Sequence, residues 1–191
     1  YTLKIGATDM GTGCDTILTQ IAAETLLADM DQFIIAQVDT DISPFDPGSY
    51  ASATTYVTGM AVYNAACDLK NKIIFAGAKM MDPEKYDMPL EKFNPKKFYF
   101  DGTKVIEVST GRTVSIHDIA VHSAGSYLGN YLNGSGFYSS PTSPPPLMAG
   151  FVEIELDKET GKYEVLDYVG VVDCGTVVNT SLARVQTEGG L

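Results

Sequence analysis

The chain has 191 residues, and 24 aspartates and glutamates outnumber 13 lysines and arginines, giving a formal net charge of −11. A protein this acidic repels a polyphosphate backbone, so nucleic acid is excluded as an expected partner. No apolar run approaches the ~20 residues of a membrane span, and residues 1–10 do not resemble a secretion signal. We therefore expect a soluble, cytoplasmic protein with no membrane partner.

The three cysteines and the two ends of the chain indicate what kind of domain this is. Cys14, Cys67 and Cys174 are far apart and form no C-x-x-C pair. This pattern predicts neither a disulfide framework nor a zinc site, and no metal ligands are assigned. A strand-like segment begins directly after Tyr1, and the chain stops after two glycines at Leu191, which is typical of an incomplete domain cut from a longer polypeptide.

The first 38 residues predict a strand, a glycine loop, a helix and a second strand. Residues 2–5 are strand-like, and three glycines follow within residues 6–13. Asp15 is placed to cap a helix that runs to about Met30, and residues 33–38 form a short buried strand. A Rossmann interpretation is poor, because Thr16 occupies the place of the third glycine of the dinucleotide fingerprint.

A second helix with a polar N-terminus follows. Pro47 and Gly48 break the backbone, and from Ala51 apolar residues recur at helical spacing to about Met80. Its start carries four hydroxyls, from Ser49, Ser52, Thr54 and Thr55. Free N–H groups and hydroxyls at a helix N-terminus suit an anion, although Ser and Thr also simply cap helices, and both interpretations stay open. Two such termini in consecutive units could hold one extended anionic ligand.

The rest of the chain predicts β-hairpins, one short helix and a long loop. Asp101-Gly102 favours a hairpin turn, and Ser115 with Asp118 favours a helix start. A flexible loop is expected at about 130–147, followed by a C-terminal β-hairpin over residues 148–173. The expected fold is α+β: two helices with Gly-rich N-termini that face an anionic cofactor, packed on a mixed sheet that the hairpin completes.

Few side chains are candidates for catalysis. His117 and His122 lie five residues apart, which is the wrong spacing for one helical face, and Glu153 and Glu155 fit a solvated strand face. Cys14 at a helix N-terminus fits a packed small residue better than a reactive thiol. Gln186 could hydrogen-bond a heterocycle, since an amide both donates and accepts, but the residues alone leave that open.

Several motifs together resemble the molybdenum-binding subunit of the xanthine dehydrogenase and aldehyde oxidase family. They are Gly11-Thr12-Gly13-Cys14-Asp15-Thr16, Gly48-Ser49-Tyr50-Ala51-Ser52, Thr54-Thr55-Tyr56-Val57-Thr58-Gly59, Asp173-Cys174-Gly175 and Gln186-Thr187-Glu188-Gly189-Gly190. They follow the family's order over essentially the whole chain. The resemblance makes residues 1–191 part of the second molybdopterin-binding domain of a larger subunit.

The resemblance implies a molybdenum–molybdopterin cofactor in the cytosine dinucleotide form. The implied cofactor-binding residues are Met10, Gly11, Thr12, Gly13, Ala51, Ser52, Ala53, Thr54, Thr55 and Gln186. Thr12 departs from the family, in which many members have glutamine. No catalytic residue is assigned in this chain, because the family's general-base glutamate is expected downstream of Leu191.

The implied enzyme hydroxylates a purine such as xanthine or hypoxanthine, with oxygen from water. An aldehyde, nicotinate or another heteroaromatic is the alternative substrate, and a non-catalytic cofactor- or nucleotide-binding module is the alternative of another class. Iron–sulfur clusters and FAD are implied in partner domains or subunits of an oligomeric enzyme. The 191 residues alone are expected to be inactive.

Overall fold

The computed structural model describes residues 1–36, 38–125 and 132–190. The chain divides into two units, Tyr1–Ser140 and Pro141–Leu191. Helices and strands both contribute, which confirms the predicted α+β class. No helix in these ranges is long and apolar enough to cross a membrane.

The first unit opens with a β-α-β arrangement. Strand β1 (Thr2–Leu3) pairs in parallel with β2 (Ile34–Ile35), and helix α1 (Cys14–Leu26) connects them. The helix begins one residue before the predicted cap Asp15 and ends four residues before Met30, because Leu27 adopts a left-handed conformation at its C-terminus. Its buried face carries the apolar residues Cys14, Leu18, Ala22, Ala23 and Leu26.

Helix α2 (Gly59–Met81) is the longest element of the first unit and ends close to the predicted Met80. The sequence placed its start at Ala51, but Ala51 and Ser52 are left-handed and a π-helical turn, Thr54–Thr58, precedes the α-helix. The spacing of the apolar residues predicted the buried face correctly, but it carries no information about the backbone conformation of the first turn. One face of α2 packs against α1, and the helix also packs on the small sheet described next.

An antiparallel sheet and helix α3 complete the first unit. Strands β3 (Phe98–Phe100), β4 (Lys104–Glu107) and β5 (Thr113–Ser115) are consecutive neighbours. This confirms the hairpin predicted from Asp101-Gly102. Helix α3 (Ile116–Gly125) begins after Ser115, whose hydroxyl and the Asp118 backbone and carboxylate are hydrogen-bonded, as the capping pattern predicts.

The first unit has two apolar clusters. One lies between α1 and the start of α2 and includes Ile5, Leu18 and Val62. The other joins α2 to the β3–β5 sheet and to the segment between them; its buried aromatic residues are Tyr86, Phe93, Phe98 and Phe100. This second cluster packs the sheet against the later part of α2, around Ile73 and Ala78.

Glu107 is a buried carboxylate at the edge of that second cluster. It is only 2 % exposed, and its Oε2 accepts hydrogen bonds from the Thr110 hydroxyl at 2.6 Å and from Arg112 at 2.7 and 3.0 Å. These bonds, with that of Thr110 the largest, lower the pKa of Glu107 to about 2. The carboxylate therefore stays ionised and ties β4 to the turn that follows it.

The predicted loop at about 130–147 begins outside the described residues, at 130 and 131. From residue 132 to 146 the backbone has no helix or strand, and its first part lies along α2. Asn64 donates a hydrogen bond to the Phe137 carbonyl at 3.0 Å, and the Ser135 amide donates one to Asp68 at 3.0 Å. The flexibility of the segment stays a prediction.

The second unit contains a long hairpin and a short helix. Strand β6 (Leu147–Leu156) pairs antiparallel with β7 (Tyr163–Asp173), with a bulge between Glu153 and Ile154, and helix α4 (Thr180–Gly190) follows. The hairpin is confirmed. Nearly all of its side chains are exposed on both faces, including Glu153 and Glu155.

The prediction that the hairpin completes one mixed sheet is wrong. The described strands form three separate sheets: β1–β2, β3–β5 and β6–β7. Only two residues of β1 and of β2 are strand, so they offer little edge for further pairing. Alternating hydrophobicity identified the strands but could not assign their neighbours.

Candidate functional site

The first candidate site is the glycine loop before α1, residues Gly6–Gly13, here called the first loop. The carboxylate of Asp9 accepts hydrogen bonds from the amides of Gly11 at 2.8 Å and Gly13 at 3.2 Å through Oδ1, and from Asp15 at 3.3 Å through Oδ2. These bonds, led by that from Gly11, lower the pKa of Asp9. The chain's own carboxylate thus takes the anion position at this helix N-terminus.

Of the predicted residues of the first loop, Gly11 and Gly13 donate their amides to Asp9, whereas the side chains of Met10 and Thr12 are exposed. Met10 is 71 % exposed and Thr12 is also exposed. Gly11 and Gly13 have φ of +100° and +77°, a conformation that glycine adopts without steric cost. The loop therefore directs the side chains of Met10 and Thr12 outwards while its amides turn inwards to Asp9.

Cys14 follows the first loop and is buried. Desolvation, followed by the negative charges of Asp9 and Asp15, raises the pKa of its thiol to about 11. The packed interpretation of Cys14 is confirmed, since a protonated, buried thiol is a poor nucleophile. Potential ligand atoms of Asp9, Cys14 and Asp15 lie within 4.8 Å of one another, but the thiol is protonated and Asp9 is already hydrogen-bonded, so the cluster is no argument for a metal.

A cleft of about 400 Å³ lies beside the first loop. Its lining residues are Ala7, Thr8, Asp9, Asp15, Ile35, Ala36 and Val38. The cleft is at the carboxyl ends of the parallel strands β1 and β2, the edge at which α/β units commonly hold ligands. Two carboxylates in the lining favour a group that donates hydrogen bonds over a phosphate.

The second candidate site is the segment Pro47–Val57, here called the second loop. Ala51 and Ser52 adopt left-handed φ values of 51° and 56°. The Thr54 hydroxyl donates to Ser49 Oγ at 2.9 Å, and the Ala53 amide donates to the Tyr50 carbonyl at 3.1 Å. These bonds fold residues 49–54 back on themselves where the π-helical turn begins.

The second loop presents unused hydrogen-bond donors. Within residues 1–36, 38–125 and 132–190, no group accepts a hydrogen bond from the amides of Ser52, Thr54, Thr55 or Tyr56. Those of Thr54, Thr55 and Tyr56 are amides that a helix start leaves without an intrahelical partner, Ser52 precedes the N-cap Ala53, and all four lie at the positive end of the α2 dipole. Thr55, which is exposed, adds a hydroxyl. This donor set suits an anion and contrasts with the filled first loop.

The first loop and the residues that lead into the second loop pack against each other. A Cβ placed on Gly6 would strike the Pro44 carbonyl oxygen and approach Asp46 Cβ to 2.8 Å. The residues that enter the second loop are therefore packed on the residue that opens the first loop. Helix α1 also packs against the π-helical turn.

Gln186, the remaining predicted cofactor residue, lies in α4 of the second unit, where it is exposed. All the other predicted cofactor residues lie in the first unit. The structure thus brings the predicted residues of the two loops into one unit and places Gln186 in the other.

Sequence reasoning missed two residues that shape these loops, Asp9 and Asp46. Asp46 accepts hydrogen bonds from the Gly48 amide at 2.8 Å and from the Thr58 hydroxyl at 2.9 Å. Both aspartates stand two residues before a glycine, the spacing of an Asx turn, and that signal could have identified them.

Comparison with known proteins gives a consistent result. The family described as "Molybdopterin cofactor-binding domain" matches residues 1–191. A probable hypoxanthine oxidase of Escherichia coli is 35 % identical over 190 residues, which are 99 % of this chain and 19 % of that protein. A putative xanthine dehydrogenase molybdenum-binding subunit of the same species is 31 % identical over 191 residues, 99 % of this chain and 24 % of that protein.

A solved structure of the Cu,Mo-CO dehydrogenase matches this chain with a TM-score of 0.76 and 25 % sequence identity. The match covers 97 % of this chain and 22 % of the dehydrogenase chain. The chain spans about a fifth to a quarter of the length of these relatives. The resemblance stated from the motifs is confirmed. The chain belongs to the molybdopterin cofactor-binding domain family.

Proposed function

We propose that this chain is part of the cofactor-holding region of a molybdenum hydroxylase, and that its second loop binds an anionic group of the cofactor. The observation that carries the proposal is the set of unused amides at Ser52, Thr54, Thr55 and Tyr56, in a chain that matches the family from end to end. Backbone N–H groups at a helix N-terminus are well suited to a phosphate.

The donor set fits a molybdopterin cofactor because that cofactor carries phosphate. Ala51 and Ala53 have side chains too small to block an approaching anion, and Ser52 and Thr55 are exposed. In the first loop, Asp9 already binds the amides, so contact with the cofactor falls to the side chains of Met10 and Thr12. When bound, the molybdenum centre supplies the two-electron oxidation chemistry.

The finer assignments extend this proposal. Residues 1–191 are part of the second molybdopterin-binding domain, the cofactor is the cytosine dinucleotide form, and Gln186 hydrogen-bonds near the pterin and the metal. The general-base glutamate belongs to sequence beyond these residues, so the 191 residues alone carry no turnover. Iron–sulfur and FAD domains or subunits accept the electrons in an oligomeric enzyme.

The proposed substrate is a purine such as xanthine or hypoxanthine. The names of the two Escherichia coli relatives support this choice. An aldehyde, nicotinate or another heteroaromatic is the alternative, since relatives named as a carbon monoxide dehydrogenase large chain and a nicotine 6-hydroxylase large subunit also match this chain.

The test uses the full-length protein purified from its own host. We expect about one molybdenum and one acid-released cytosine nucleotide per chain, and oxidation of hypoxanthine or xanthine. Thr55→Val, which removes an exposed hydroxyl at the donor set, is expected to lower nucleotide retention, whereas Thr113→Val at an exposed position of β5 leaves it unchanged. A folded protein without molybdenum and without pterin would refute the hydroxylase and favour the non-catalytic binding module.

A further inference from the structure

The second loop contains two residues in a strained backbone conformation, which the surrounding structure must stabilise. Ala51 and Ser52 are consecutive non-glycine residues with left-handed φ values, 51° and 56°. Each such residue costs free energy and persists only when the surroundings fix it. The strain lies directly beside the unused amides, so whatever fixes these two residues also fixes the direction of those donors.

Asp46 joins the two ends of this loop. Its Oδ1 accepts the Gly48 amide at 2.8 Å, where the loop begins, and its Oδ2 accepts the Thr58 hydroxyl at 2.9 Å, where the π-helical turn ends. One half-buried carboxylate thus closes a stretch of twelve residues. A bond to an ionised acceptor is stronger than one between neutral groups.

Asp46 is itself held in place. A Cβ on Gly6 would come within 2.8 Å of Asp46 Cβ and 2.9 Å of its amide nitrogen, so the backbone at Asp46 rests on the end of the β1 segment. The position of Asp46 is therefore fixed by packing against Gly6 and by hydrogen bonds from the Gly48 amide and the Thr58 hydroxyl.

We propose that Asp46 is a positioning residue that, through Thr58, holds the second loop so that its free amides converge on the cofactor's anionic group. The inference rests on the proposed function. Asp46 does not need to touch the cofactor, since it acts through the backbone that it closes. Loss of the Thr58 bond would release one end of the loop and let Ala51 and Ser52 relax from the left-handed region.

The test compares variants of the full-length protein from its own host. Thr58→Val removes the hydroxyl and keeps the shape, Thr58→Ser restores the hydroxyl, and Asp39→Ala removes a carboxylate that closes a separate turn nearby. We expect Thr58→Val to speed nucleotide loss about tenfold, as one lost bond to a charged acceptor implies, with Thr58→Ser and Asp39→Ala within about twofold of the parent.

Hydrogen exchange supplies a readout independent of activity and cofactor. In Thr58→Val, the hydrogen-bonded amides of Gly48, Ala53 and Val57 should exchange faster, while those of Ile73 and Ala78 in α2 keep their protection. Unchanged loop exchange with unchanged nucleotide retention would overturn the role of Asp46 and leave the proposed function standing. A parent protein that carries neither molybdenum nor nucleotide would instead overturn the proposed function itself.

Discussion

Gly102 sits where the β3–β4 turn meets the end of α1, and replacing it with alanine tests two physical terms at once. Its φ is +93°, and a Cβ there would strike the Leu27 carbonyl oxygen and come within 2.9 Å of the Leu27 carbonyl carbon. Leu27 is the left-handed residue that ends α1. Since the obstacle is backbone, it cannot rotate away as a side chain could.

The expected loss of stability follows from those two terms. A left-handed alanine costs about 1–2 kcal/mol, and forcing an overlap with fixed atoms adds about 1–3 kcal/mol, while the stiffer unfolded chain returns about 0.4–1 kcal/mol. We expect Gly102→Ala to lower the free energy of unfolding of the first unit by about 2–4 kcal/mol.

Gly48→Ala is the matched control. Gly48 has a similar φ of +105°, but no atom lies within 4 Å of a Cβ built there, so only the backbone term applies, about 1 kcal/mol net. Urea unfolding followed by far-ultraviolet circular dichroism reports on α1 and α2, which belong to the same unit as both glycines. Equal losses in the two variants would refute the clash between the β3–β4 turn and Leu27.

Three further predictions test the core, the buried carboxylate and the hairpin. Leu18→Ala removes a fully buried side chain and should cost about 3–5 kcal/mol of unfolding free energy in a urea titration. Because the folded-state pKa of Glu107 is lowered to about 2, its stabilisation is complete above pH 4.5 and is lost as pH falls towards 2. Thermal unfolding of Glu107→Gln should therefore show a weaker acid dependence than the parent, and an unchanged dependence would contradict this. Glu155 lies directly opposite Glu164 in the hairpin, so Glu155→Lys should stabilise it by about 0.2–1 kcal/mol in hydrogen exchange, whereas Glu159→Lys in the turn should not.

The sequence predicted helices and turns better than it predicted sheets. Helix α2 was recognisable because its apolar residues repeat over more than twenty positions, and the β3–β4 hairpin because Asp101-Gly102 needs a positive φ at glycine. The neighbours of each strand were not recognisable, because alternation marks a strand's faces but not the edge that it joins. This is why one mixed sheet was expected where the described residues form three.

The same limit applies to the helix starts. Apolar periodicity extended α2 back to Ala51, although the backbone there is left-handed and then π-helical. Asp46, which holds this segment through Thr58, is polar and lies outside the periodic stretch. Asp46 reaches Thr58 across twelve positions, and no local pattern predicts a bond over that separation.

The two glycine loops look equivalent in the sequence, yet they differ in the quantity that matters for an anion, the number of amides left unpaired. Asp9 turns three amides of the first loop and helix start towards its own charge, so a second anion there would meet both a carboxylate and donors already in use. Asp46 instead uses its carboxylate at the two ends of the second loop, and among the described residues the amides of Ser52, Thr54, Thr55 and Tyr56 keep no acceptor. Two aspartates at the same spacing from a glycine thus have opposite effects on anion binding, and the position of the donors beyond that glycine distinguishes them. These donors are the nearby Gly13 and Asp15 amides in the first case and the distant Thr58 hydroxyl in the second, which explains why composition and motif spacing predicted two anion sites where the free amides favour one.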